Sequence, residues 1–338
     1  MNVLVTGANG FLGRHVVTAL VQQGHSVQAL VRPASPADLR LGEGPINLVR
    51  GDLRSTSTNE LESMFAGVDA LVHLAAAVKG DDEAQFRGTA VGTERLLDAM
   101  ARTATRRLVL ASSFSVYDWS RARGVLREAS PFLSGTRHYE RDGYAIAKVA
   151  QETHTRRAAA RHGWDLTVLR PGFIWGRGNA DFAALGQRIG PFRLVFAPFG
   201  RIPITHVENC ADLFAKVVDD PRAFGRTFNV VDGDSARVLP HLLEFRRQTG
   251  EKGPILPVPY LVGYWTTRLA QATSRLIFRG KGKLPSLLVP LRFEARFKPL
   301  RFPNALAREV LGWSPPLNHQ ECVRRTYVRS PTHHPRSA

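Results

Sequence analysis

Ser113 and the run Tyr144-Ala145-Ile146-Ala147-Lys148 contain the residue types that move a proton to or from an oxygen atom. On a helix, residues four apart share a face and their side chains meet, so a helix here would set the Lys148 ammonium beside the Tyr144 phenol. A neighbouring cation favours the phenolate and should pull a pKa that starts near about 10 toward neutrality. Ser113 would hydrogen-bond a substrate carbonyl or hydroxyl and steady charge in the transition state. Alone, a Tyr-x-x-x-Lys spacing is common and would pass for a surface helix pair.

The chemistry becomes specific through a second motif. Thr6-Gly7-Ala8-Asn9-Gly10-Phe11-Leu12-Gly13 follows a Val3-Leu4-Val5 run and opens a patterned helix, the context in which a glycine turn cradles a dinucleotide pyrophosphate. Gly7 is expected to make the turn, Gly10 to let the backbone approach the phosphates, and Gly13 to allow tight helix packing. Asn9, Phe11 and Leu12 complete the expected contact set. At the end of the next strand an acidic residue would bind a ribose 2′-hydroxyl, whereas an arginine would accept a 2′-phosphate. Val31 and Arg32 stand there, which favours NADP over NAD. Asp52, with Leu53 beside it, is placed after the third strand to meet the adenine amino group.

Elements that could position these residues follow from the hydrophobic pattern. Strands are expected at Asn2–Val5, Ser26–Val31, Ile46–Arg50, Ala70–Leu74, Arg107–Ser112 and Leu166–Arg170, with helices at Phe11–Gln23, around Leu61–Phe65, at Thr89–Ala101 and at Tyr144–Arg161. This alternation requires right-handed crossovers, and hence an α/β fold: a Rossmann-type doubly wound parallel sheet with helices on both faces. After Pro171 the chain turns rich in Gly, Pro and aromatic residues. The expected division is a dinucleotide-binding domain at 1–171, a smaller loop-rich C-terminal substrate lobe at 172–329, and a disordered tail at 330–338. Within the lobe, a helix at Cys210–Asp219 and a strand at Thr227–Val231 return to the sheet.

Composition bounds the partners. With 338 residues and 43% hydrophobic content, the chain can bury a sizeable core. Cys210 and Cys322 form neither a disulfide framework nor a metal site, so no metal is expected and the reducing cytoplasm is the expected setting. No secretory signal precedes the first strand, and no apolar run is long enough to span a bilayer. The net charge is +17, and from Leu261 to Ala338 there are 14 Lys/Arg against 3 Asp/Glu. That excess serves an anionic substrate, an acidic membrane surface or simply a solvated face; nucleic acid is disfavoured because no nucleic-acid-binding motif accompanies it. Between Tyr260 and Phe278, Leu261, Val262, Trp265, Leu269, Ala272 and Leu276 fall on one face, and Arg268, Gln271 and Arg275 on another. This amphipathic helix either packs on the core of the lobe or, with Arg279, Lys281 and Lys283 following it, makes a substrate lid or a peripheral membrane contact through 260–283. His73, His206 and Cys210 are read as structural.

Over nearly its whole length the chain resembles the extended short-chain dehydrogenase/reductases, the NAD-dependent epimerase/dehydratase family. The resemblance rests on the glycine turn, on the Ser113, Tyr144 and Lys148 set, and on several runs: Asp69-Ala70-Leu71-Val72-His73-Leu74-Ala75-Ala76, Gly92-Thr93, Ser112-Ser113-Phe114-Ser115-Val116-Tyr117, Leu169-Arg170-Pro171-Gly172 and Leu311-Gly312-Trp313-Ser314-Pro315. It implies that Ser113, Tyr144 and Lys148 are catalytic, that Lys148 and Tyr144 also touch the cofactor, and that Leu74, Ala75, Ala76 and Pro171 line the cofactor groove. Two positions depart from the family pattern. Thr89 stands where members usually carry an asparagine before Gly92-Thr93, and Ile202 stands where nucleotide-sugar enzymes often carry an arginine before His206-Val207. The likeness is therefore to the 3β-hydroxysteroid dehydrogenase-like and dihydroflavonol reductase-like branches, which implies a small-molecule substrate of low polarity and leaves room for a homodimer. The expected activity is NAD(P)-dependent interconversion of a secondary alcohol and a ketone. The alternatives are a nucleotide-sugar epimerase or dehydratase and a non-catalytic dinucleotide sensor.

Overall fold

A computed structural model describes residues 1–36, 38–134, 141–233, 236–278 and 284–328. The expected tail at 330–338 and the basic residues Arg279, Lys281 and Lys283 lie outside them. In chain order the first half runs β1 (Asn2–Thr6), α1 (Phe11–Gln22), β2 (Ser26–Val31), β3 (Ile46–Arg50), α2 (Thr58–Ser63), β4 (Ala70–His73), α3 (Asp82–Phe86), a π-helical turn at Arg87–Val91, α4 (Gly92–Met100), β5 (Arg107–Ala111), α5 (Gly143–His162) and β6 (Asp165–Pro171). The second half runs β7 (Phe173–Trp175), β8 (Gln187–Ile189), β9 (Phe192–Phe196), β10 (Ile204–His206), α6 (Val207–Lys216), β11 (Thr227–Val230), α7 (Val238–Thr249), β12 (Ile255–Val258), α8 (Tyr260–Phe278), α9 (Pro290–Phe297), α10 (Ala305–Leu311) and α11 (His319–Tyr327).

Seven parallel strands form the main sheet in the order β11-β6-β5-β4-β1-β2-β3. Side chains alternate across it. Val3 and Val5 of β1 pack with Val16, Val17 and Leu20 of α1 and with Phe214 of α6, while Leu4 faces the opposite layer with Leu61, Leu96, Trp164 and Leu166. Burial on both faces explains the unbroken apolar runs, which a half-exposed sheet would interrupt with polar residues. The strand order reverses between β1 and β4, where Thr6 is in register with His73. Ligands of open α/β sheets bind beyond the carboxyl ends of the strands at such a reversal.

The C-terminal region is not a detached lobe. β11 extends the main sheet, α6 packs on α1, and Ala307, Leu311 and Trp313 join the same core layer, with Trp313 Nε1 donating to Asp212 Oδ2 at 2.8 Å. What stands apart is a parallel pair, β7 with β10, and a three-stranded sheet of β8, β9 and β12 that leads into α8 and α9.

Candidate active site

The glycine turn is closed by contacts that no side chain could replace. Gly7 has φ +70, and a Cβ there would lie 2.9 Å from Ala75 N; at Gly13 a Cβ would lie 2.1 Å from Gly7 O. The first places the turn against the segment after β4 that holds Leu74, Ala75 and Ala76, and the second seats α1 directly on the turn. Gly10 N donates to Gly7 O at 2.9 Å, and Gly10 is the N-cap of α1 with no side chain capping it. The first-turn N–H groups around Phe11, Leu12 and Gly13 thus remain open, and no acidic residue occupies that turn. An uncapped helix start behind a turn where a Cβ would clash fits a pyrophosphate. Asn9 is held from the side, its Oδ1 accepting from Arg14 Nε at 3.0 Å.

At the adenosine end, Arg32 is exposed immediately after β2. Arg50 fixes the turn that follows by donating to the carbonyls of Pro33, Ser35 and Pro36. The Asp52 carboxylate is steadied by the Arg54 guanidinium, which grips both oxygens at 3.0 Å and 2.7 Å and with Arg32 nearby holds the carboxyl below its usual range. Arg54 was not singled out from the sequence, because it follows the strand in an ordinary polar turn. Leu53 is buried beneath the site.

The three residues expected to act on substrate converge at the end of β5. Asp142 caps α5 by accepting from Ala145 N at 2.9 Å, which sets the helix start so that Tyr144 and Lys148 both turn toward the sheet. Lys148 Nζ donates to Ala111 O, the last residue of β5, at 2.7 Å. Two residues further on, Ser113 caps a short 3-10 turn at Phe114–Val116, its Oγ accepting from Ser115 N, and its hydroxyl lies near enough to the Tyr144 phenol to favour the phenolate. Pro171 closes the adjacent strand β6.

The electrostatics overturn one expectation. Burial raises the Tyr144 pKa; the Ser113 hydrogen bond pulls the other way, and the Asp142 charge adds to the rise. Besides Ala111 O, the Lys148 ammonium donates to Gln151 Oε1 at 2.7 Å. Lys148 itself is driven down to about 7 by burial, with Glu152 opposing. Removing a cation from water costs more than these neutral acceptors return.

Gln151 was invisible in the sequence and joins two halves of the site. Fully buried, it accepts from Lys148 and offers its Nε2 to Thr93 Oγ1 at 2.9 Å and Ala75 O at 3.2 Å, with His73 Nε2 at 3.1 Å. His73 also bridges Thr6 Oγ1 (2.7 Å) and Thr93 Oγ1 (2.8 Å), and burial drives its pKa to about 3, so it is a neutral bridge. Thr89, in the place of the missing asparagine, accepts from Ala77 N at 2.9 Å and so pins the segment after β4. Beneath α5 a second buried set holds the scaffold: Glu152 receives Arg170 Nε at 3.1 Å, Arg156 Nε at 2.9 Å and Ser112 Oγ at 2.5 Å.

The chain is 28% identical to the 3 beta-hydroxysteroid dehydrogenase/Delta 5→4-isomerase of Mycobacterium tuberculosis over 95% of this chain and 88% of that protein. It is 26% identical to the UDP-glucose 4-epimerase of Vibrio cholerae over 96% and 94% of the two chains. The crystal structure of gox2253 shares the fold with a TM-score of 0.77 at 21% identity, over 96% of each chain. Residues 3–230 match the family described as NAD dependent epimerase/dehydratase, and to that family the chain belongs.

Proposed function

We propose that this chain is an NADP-preferring oxidoreductase that interconverts a secondary alcohol and a ketone of low polarity. The observation that carries the reading is the convergence of Ser113, Tyr144 and Lys148 at the end of β5, beside the reversal in strand order where the glycine turn meets Ala75. When bound, the dinucleotide supplies or takes up the hydride. Ser113 donates a hydrogen bond to the substrate oxygen, and Tyr144 passes that oxygen its proton or takes it back. A phenol raised by burial stays protonated at neutral pH and holds the proton that a carbonyl oxygen gains on reduction. Lys148 keeps α5 fixed to β5 and would hold the nicotinamide ribose of a bound dinucleotide. Arg32, exposed just after β2, offers a guanidinium to a 2′-phosphate, and this supports NADP.

Tyr144→Phe tests the role. Turnover of a ketone panel, followed at the nicotinamide absorbance band, should vanish while NADPH binding by calorimetry is retained; undiminished turnover would refute the assignment. The likeness to UDP-glucose 4-epimerase favours a second reading, an internal oxidation and re-reduction without net cofactor consumption. Ile202 is buried in an apolar cluster with Trp175, Leu185 and Val195, so position 202 offers a sugar diphosphate no guanidinium, and Arg201 stands one residue before it. Steady NADPH loss with a ketone separates the two readings.

A further inference from the structure

Helix α8 is mounted the opposite way round from its hydrophobic pattern. Gly263, Thr267 and Ser274 are buried, with Tyr264, Ala270 and Gln271 half-buried on the same side. Gly263 makes that packing possible: a Cβ there would lie 2.4 Å from the Phe293 ring of α9 and 2.9 Å from Phe196. The large apolar side chains are left on the outer face. Leu261, Trp265, Leu269 and Leu276, at helical spacings of four, four and seven, are 64%, 65%, 69% and 84% exposed, and Val262 flanks them. The expectation that these residues pack on the core of the lobe is therefore corrected. A stripe of this length on a soluble face marks an interaction surface.

Charge identifies the partner. From Lys252 to Phe293 the chain carries seven Lys/Arg residues and no carboxylate. Arg268 and Arg275 stand exposed along one margin of the stripe, and a recess of about 420 Å³ that shares Leu261 with it is rimmed by the exposed Arg123. A second copy meeting this face about a two-fold axis would set the same arginine margin against itself. An anionic lipid surface takes both components at once: apolar side chains below the headgroups and guanidinium groups among the phosphates. No helix among the described residues is long and apolar enough to cross a membrane, so α8 would lie in the interface plane.

We propose that the outer face of α8 docks the protein on the surface of anionic lipid bilayers. This reading does not depend on the reaction assigned above. Trp265 reports on it directly, because Trp119, Trp164, Trp175 and Trp313 are all buried. With vesicles of phosphatidylglycerol and phosphatidylcholine, the native chain should cosediment at low salt, release as salt rises, and show tryptophan emission quenched by brominated acyl chains; Trp265→Phe should remove the quenching. The double substitution Leu269→Glu with Leu276→Glu should weaken partitioning at least about tenfold while leaving turnover of a water-soluble ketone and the melting temperature unchanged. Failure of the native chain to bind at low salt overturns the proposal. So does binding that the double substitution leaves intact, which would be diffuse adsorption, or a dimer that the double substitution abolishes in a chain that ignores vesicles. Loss of ketone turnover in every variant and in the native chain would count against the catalytic assignment and leave these outcomes readable.

Discussion

Lys148 is a buried base whose charge the fold resists, and this makes a quantitative prediction for Lys148→Met. In the unfolded chain the ammonium titrates at 10.5; in the folded protein burial brings it down to about 7. A depressed base binds its proton more weakly in the native state, so the penalty is absent above the unfolded value. It grows as pH falls toward the folded value and is constant below it. Linkage across that window gives a cost of about 2 kcal/mol near pH 9 and between 4 and 5 kcal/mol, roughly, near pH 6. Methionine fills the same channel without a charge but leaves Ala111 O and Gln151 Oε1 without their donor, a loss that does not vary with pH. The absolute stability of the variant mixes the two effects; the pH dependence isolates the first. Urea unfolding of both proteins at several pH values should show the variant gaining roughly 2 to 3 kcal/mol on the native chain between pH 9 and pH 6. A difference that stays flat across that range, or that favours the native chain as pH falls, would refute the claim that desolvation governs this lysine.

Three further outcomes follow from the same geometry. Gln151→Leu removes the side-chain acceptor of Lys148 and should lower kcat about tenfold to a hundredfold with KM little changed; a KM effect alone would make Gln151 merely structural. Gly13→Ala pushes a methyl group into Gly7 O and should weaken dinucleotide binding by about tenfold or more, read by calorimetry, with unchanged affinity counting against the turn as the phosphate cradle. Glu152→Leu strands the Arg170 guanidinium in the interior and should destabilise by about 3–5 kcal/mol in chemical denaturation, whereas a loss under about 1 kcal/mol would mean that Arg156 and Arg170 are solvated rather than held.

What could be read from the sequence was whatever depends on neighbours along the chain. The glycine turn and the Tyr144–Lys148 spacing fix local geometry, and the pattern located β2, β3 and α5 to within a residue at each end. The lobe strands β8, β9 and β12 escaped notice because they are three to five residues long and broken by Gly186, Gly190, Pro191 and Pro254. Gln151 escaped for another reason: its partners Ala75, His73 and Thr93 lie 58 to 78 positions away, and only the strand order brings them together.

The two corrections share a cause. Spacing places Lys148 beside Tyr144, but the sign of the phenol's shift depends on how deeply each group is buried, which is a tertiary property. In α8, periodicity reveals two faces and the convention that apolar residues turn inward assigns them; Gly263 against the Phe293 ring reverses the assignment. A helix that packs through its small residues gains close approach and shape fit while keeping its leucines and Trp265 for another surface. Charge then becomes the better guide to the outer face, since a buried face rarely tolerates long runs of arginine and lysine, whereas a face meeting an anionic surface is strengthened by them. The absence of any carboxylate between Lys252 and Phe293 is thus the sequence signal that could have oriented α8, read together with its periodicity rather than after it.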